Sequence, residues 1–191
     1  MKKSLQTGLF LALMHHPVTN RRGDVICSAV TNLDLHDIAR SARTYGVSRY
    51  FVVTPLEDQQ ALAQRILDHW ITGPGAAYNP DRKEALLLVS VAAGLEQALD
   101  EAQALCGQRP CVVVTDARPR PGAISYDDLT NLVKNGKPCM LVFGTAWGLT
   151  GDFIEKADFV LEPLFGPGSY NHLPVRAAAA IILDRIAGQR Q

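Results

Sequence analysis

The residues of this chain best suited to chemistry gather where apolar runs end. Val114 is followed by TDARPRPG, Phe143 by GTAWGLTG, and Leu161 by EPLFGPGSYNHLP. Stretches rich in glycine, proline and small polar residues turn a chain, which is the commoner use of them, or let backbone amides and carbonyls approach a ligand closely. Three of them together, all in the C-terminal half, predict one pocket built largely from backbone groups. In the first, Arg118 and Arg120 could hold a carboxylate or phosphate, or be surface charge. In the third, the imidazole of His172 could serve as a base near neutral pH, or simply be packed or solvated. Upstream, Leu35, Ile38, Ala42 and Tyr45 share one helical face, closed by Gly46. At about 100° per residue, Arg40 lies nearly opposite that face. Its guanidinium therefore points away from its own sheet, where a partner, a phosphate or solvent would meet it.

The elements that must position these groups are legible as an alternation. Short apolar runs at 9–14, 50–53, 85–91, 111–115, 139–143 and 159–161 predict strands buried on both faces. Between them, Ala61, Leu62, Ile66 and Leu67, then Leu95, Ala98, Leu99, Ala102 and Leu105, then Leu129, Leu132 and Val133 follow helical spacing. The pattern is that of an α/β fold, a mostly parallel sheet with helices on both faces. In such sheets ligands sit outside the carboxyl ends of the strands. The region near 15–33 and the stretch 72–84 read as irregular. Asn171 could cap the last helix, with Pro174 in its first turn. The four alanines at 177–180 suit either close packing or helix propensity.

Composition narrows the function. The chain of 191 residues fits a single domain, 1–191, and its formal net charge is zero, which gives no general reason to bind nucleic acid. His15, His16, Arg21, Arg22, Arg40, Arg43 and Arg49 could still make a local basic surface, or be ordinary solvated charges. No GxGxxG, GxxxxGK[ST] or GxSxG motif is present. The four cysteines, Cys27, Cys106, Cys111 and Cys139, form no CxxC pair, read as reduced core residues of a cytoplasmic protein, and predict no metal site. The N-terminal apolar run is too short for a membrane helix and fits a first strand better than a signal peptide.

Three motifs carry a resemblance. Residues 34–53, DLHDIARSARTYGVSRYFVV, contain Arg40, the small pair Ser41-Ala42 and Tyr45-Gly46-Val47 in that order. Residues 141–150, LVFGTAWGLT, are a strand running into a glycine-bounded loop. Residues 166–186, GPGSYNHLPVRAAAAIILDRI, lead from a glycine loop through Ser169 and Asn171 into an alanine-rich helix. On these motifs the chain from Leu9 onward resembles the SPOUT RNA methyltransferases, in their ribose 2′-O-methylating branch. More closely, it resembles a small bacterial SPOUT domain found alone or fused to tRNA guanine-N1 methyltransferases. It departs from the pattern where Thr145-Ala146-Trp147 stand after Gly144 in place of a glutamate, and where His172 and Pro174 lengthen the third motif. The acceptor atom therefore stays open.

The resemblance implies a C-terminal trefoil knot, an S-adenosylmethionine pocket made by the knotted loops, and a homodimer with its active site at the interface. It implies an RNA substrate, tRNA or rRNA. Because no RNA-binding domain is appended, a partner RNA-binding or methyltransferase protein is a further expectation. Catalysis would fall to Arg40, with Asn171 and Ser169 organising the acceptor. The cofactor would be bound by Thr115, Asp116 and Ala117, by Gly144, Thr145, Trp147 and Gly148, and by Leu161, Leu164, Gly168, Ser169, Asn171, His172 and Leu173. Asp116 would meet a ribose hydroxyl or the methionyl amine, or else serve as a turn residue. Trp147 and the three leucines could line the pocket or belong to the core. The rival readings are a non-catalytic binding module of the same fold and an unknotted nucleotide-binding enzyme.

Overall fold

Six consecutive apolar residues, Leu9–Met14, form β1, and all six are buried. A strand turns successive side chains to opposite faces, so such a run needs cover on both sides. In the computed structural model, which describes residues 8–189, it has that cover. Leu9, Leu11 and Leu13 join one apolar cluster, while Phe10, Ala12 and Met14 join another across the sheet. Lys2, Lys3 and both outer ends of the expected 1–191 domain lie outside the described residues.

The chain continues through β2 (Val18–Thr19), β3 (Val25–Ile26), α1 (Asn32–Thr44), β4 (Arg49–Val53), α2 (Glu57–Ile71), α3 (Pro74–Tyr78), α4 (Pro80–Leu86) and β5 (Val89–Ala92). It then runs through α5 (Leu95–Cys106), β6 (Cys111–Thr115), α6 (Tyr126–Lys134), β7 (Cys139–Gly144), α7 (Gly151–Glu155), β8 (Phe159–Leu161) and α8 (Val175–Ala187). The main sheet has six strands in the order β5-β4-β1-β7-β6-β8, and every pairing in it is parallel. From β1 the chain builds one half through β4 to β5, then crosses to the other side to add β6, β7 and β8. The helices α1, α2, α4, α6 and α8 supply residues to the first cluster, and α5 and α7 to the second. Helices therefore cover both faces, as the alternation predicts.

Local chemistry sets the ends of several helices. Thr31 caps α1 by accepting from the Asp34 amide, and the chain leaves that helix through Gly46 at φ 73°. Ser125 and Asp128 form a capping box at the start of α6.

Four expectations need correction. Residues 72–84 are not irregular, because Pro74 and Pro80 each open a short helix and the Asn79 side chain accepts from the Arg82 amide. Residues 85–91 are not one strand, since Ala85 and Leu86 end α4 and only from Val89 is the backbone paired. The region 15–33 contains the β2–β3 hairpin, and the side chain of Asn20 holds its turn by accepting from the amides of Arg22 and Asp24. On α2, Ala61 is exposed and Ala63 takes the buried place.

Helix α8 packs against α1, α6 and β7. Ala179 is fully buried there. An Ala179→Leu chain, with volume added where the core has no room, should lose about 1–3 kcal/mol in urea unfolding. An unchanged midpoint would mean that the alanine at 179 reflects helix propensity alone.

Candidate functional site

The carboxyl ends of β6, β7 and β8, the start of α8 and the segment after the hairpin enclose a cleft of about 650 Å³. That is the usual range for a small-molecule site. Its wall takes Thr115, Asp116, Ala117 and Arg118 from the first loop and Gly144 to Gly148 from the second. Pro163, Leu164, Asn171, His172 and Leu173 come from the third. A second hollow, of about 940 Å³, lies between Gly8, Tyr45, Lys134 and Arg185, and none of the expected site residues lines it.

Long-range bonds fix the three loops. The Asn171 amide donates to the Ala117 carbonyl at 2.9 Å, tying the third loop to the first. Asn171 does not cap α8, whose N-cap is Pro174 with no side-chain bond. The hairpin buttresses the second loop: Trp147 N donates to Thr19 O at 3.0 Å, Thr19 N to Gly148 O at 2.9 Å, and Val18 bridges Leu149. The Thr115 hydroxyl donates to Val142 O at 3.1 Å.

Several expected binding residues stand elsewhere or are already engaged. Leu161 is core, 1% exposed, and Ile124 pairs with it as an isolated bridge. Gly168 and Ser169 lie in an exposed stretch outside the cleft wall. Asp116 lines the cleft, but Arg120 and Arg118 take its carboxylate at 2.7 and 3.4 Å. The carboxylate those arginines hold is therefore the chain's own. Trp147 lines the cleft and is exposed. His172 is exposed and meets Tyr170 edge to face. Arg40 is exposed on α1, outside the cleft wall, as its helical angle requires.

The expected basic surface is largely neutralised. Arg22 pairs with Asp24, Arg43 with Glu84 and Arg49 with Glu101. His15 is not on the surface at all: it is 0% exposed. Burial lowers its pKa to about 4, against the pull of Asp34, so it is neutral at physiological pH. The folded pKa lies below the ordinary value of 6.5, so acid favours the unfolded chain. This contribution is complete above the unfolded pKa and is lost as pH falls toward the folded one. Lowering the pH from about 7 to about 5 should cost roughly 2 kcal/mol through this group. Urea unfolding across that range should show a shallower loss for His15→Asn, and parallel slopes would remove the assignment.

The sequence reading passed over Ser28, Asp34, Tyr126 and Glu162, all of which line the cleft. Asp34 is 8% exposed and paired with Arg176 at 3.3 Å. Burial pushes the Tyr126 hydroxyl up to about 12, so it keeps its proton. The Thr31-x-x-Asp34 spacing is a helix-start signature that could have flagged this segment. Among the described residues, no three His, Cys, Asp or Glu side chains converge as metal ligands, and no helix is long and apolar enough to cross a membrane.

The family model described as SAM-dependent RNA methyltransferase matches residues 8–188. A relative named tRNA (guanine-N(1)-)-methyltransferase, from Oleidesulfovibrio alaskensis, is 43% identical over 180 residues, 94% of this chain but 42% of its own length. The chain thus spans under half of that relative. A protein of Aquifex aeolicus named only as uncharacterized is 39% identical over 183 residues, 95% of this chain and 89% of its own. Among solved structures, the SpoU methyltransferase AviRb from Streptomyces viridochromogenes, in complex with AdoMet, superposes with a TM-score of 0.55 at 19% identity. That match covers 94% of this chain and 56% of AviRb, and it shows a shared fold.

Proposed function

Because the chain belongs to the SAM-dependent RNA methyltransferase family, we propose that it transfers a methyl group from S-adenosylmethionine to tRNA or rRNA, working in the cytoplasm as a homodimer. The observation that carries the cofactor reading is the cleft at the carboxyl ends of β6, β7 and β8. It has cofactor-sized volume, and its wall combines loop backbone at 115–118 and 144–148 with the apolar side chains of Leu164, Leu173 and Ala178. When bound, S-adenosylmethionine supplies an electrophilic methyl group on a sulfonium, and in-line displacement at such a centre depends chiefly on positioning.

The chain's own part is to hold and align. Asn171 locks the third loop against the first, and the hairpin holds the second loop in place. A trefoil knot belongs to this reading. It is supported by the placing of β7 between β1 and β6 and by the tie between residues 171 and 117. Arg40, on the outer side of α1, would act on RNA at the cleft of a second copy. Exposed Leu33, seven residues before Arg40 and so on the same face of α1, supports such a contact. The nucleotide is left as an RNA acceptor, since the guanine-N1 name belongs to relatives more than twice as long as the match.

Calorimetric titration with S-adenosylmethionine and its demethylated product, with NADH and ATP as controls, tests the cofactor. Transfer of labelled methyl to unmodified tRNA and rRNA tests the activity. Binding and transfer are expected. Binding of NADH or ATP alone would overturn the whole reading, and cofactor binding without transfer to either RNA would leave a binding module.

A further inference from the structure

Three segments far apart in sequence share one line of hydrogen bonds at the edge of the cleft. His15 Nδ1 lies 3.0 Å from Ser28 Oγ. Ser28 Oγ lies 2.5 Å from Thr145 Oγ1, which donates to the Met14 carbonyl at 3.0 Å. Ser28 and Thr145 line the cleft, while His15 is buried behind them.

The carbonyl at one end orders every proton in the line. Met14 O can only accept, so it takes the one proton of Thr145. Ser28 must then donate to Thr145, and the His15 ring must donate to Ser28 through Nδ1–H. A hydroxyl has one proton and two lone pairs. Both hydroxyls have therefore spent their proton, each accepts one bond, and each keeps one lone pair. The neighbouring carboxylate of Asp34 is an acceptor too; it takes the Thr31 hydroxyl at 2.5 Å and Arg176 at 3.3 Å. Ser28, Thr145 and Asp34 thus offer lone pairs and no spare proton at this edge of the cleft.

We propose that Ser28 and Thr145 are binding residues that receive an amino group of the bound cofactor, with His15 as the positioning residue that fixes their polarity. This rests on the S-adenosylmethionine reading above. A carbonyl, carboxylate or phosphate oxygen at this place would face lone pairs and be rejected. The cofactor carries two suitable groups, the adenine 6-amino group and the methionyl ammonium.

The test uses S-adenosylhomocysteine and two analogues in calorimetry, one with a 6-oxo group in place of the 6-amino group and one lacking the methionyl amine. The wild-type chain should bind one of the two analogues about tenfold more weakly than S-adenosylhomocysteine, and which one identifies the group. In Ser28→Ala that preference should largely vanish. His15→Leu frees the Ser28 proton to turn toward the cleft, so it should also lose the preference. His15→Asn, which restores a donor beside Ser28, should recover it. A residue that merely supported the fold would weaken all three compounds alike. Equal binding of all three by the wild-type chain overturns the proposal without need of any variant. Failure of the wild-type chain to bind S-adenosylhomocysteine at all removes instead the functional reading beneath it.

Discussion

An Arg40→Ala chain should bind S-adenosylmethionine as the wild type does and methylate RNA ~10²-fold more slowly or worse, the scale on which a positioned side chain contributes to proton transfer or orientation. Asp34, in the first turn of α1, lines the cleft, and Arg40 stands six residues further along. Six residues advance a helix by about 9 Å and turn it about 240°. The guanidinium is thus on the solvent side, outside the cleft wall of its own chain. Cofactor affinity, set by the strand-end loops, should not notice its loss. The homodimer reading makes a sharper demand. Mixing Arg40→Ala with a chain whose cleft is blocked should restore activity that neither has alone, because one chain supplies the cleft and the other the arginine. Full turnover in the single variant would retire the role. A loss that mixing does not repair would place Arg40 in RNA contact on its own chain.

A Gly144→Val chain should lose measurable cofactor binding and about 1–3 kcal/mol of stability together. A Cβ at Gly144 would sit 2.9 Å from both Cγ and N of Leu149. Neither can retreat easily. Leu149 is 3% exposed and bridges Val18 of the hairpin, itself fully buried. Relief would come from displacing residues 145–149, the segment that walls the cleft, so the structural cost falls directly on binding. Gly168→Val is the informative counterpart. A Cβ there meets nothing within 4 Å, so unfolding should not change. Calorimetry and urea unfolding on the two variants separate them. Retained cofactor binding in Gly144→Val would mean that the second loop is not part of the site.

Five of the six strands of the main sheet and the longer helices are legible because the forces that choose them act over a few residues. The uninterrupted apolar run of β1 could only be a strand covered on both sides, and the spacing of Leu35, Ile38 and Ala42 fixed which face of α1 is inward. The loops at the carboxyl ends of β6, β7 and β8 could be nominated as a pocket from their composition and their place in a parallel sheet. Local patterns failed where local chemistry was subtler, as at Asn79 and Pro80, which turn an apparently irregular stretch into helix. Tertiary structure alone decided which loop residues face the cleft. Leu161 and Leu164 are three residues apart and share one apolar cluster, yet only Leu164 also lines the cleft. Only the fold brings Thr145 to Ser28 across 117 residues of chain and to Met14 across 131. It likewise buries His15, beside exposed His16, as a neutral donor. Periodicity records how much of a segment is hidden from water. The direction of a proton in a buried hydrogen-bond line depends on a partner that no neighbour in sequence can specify.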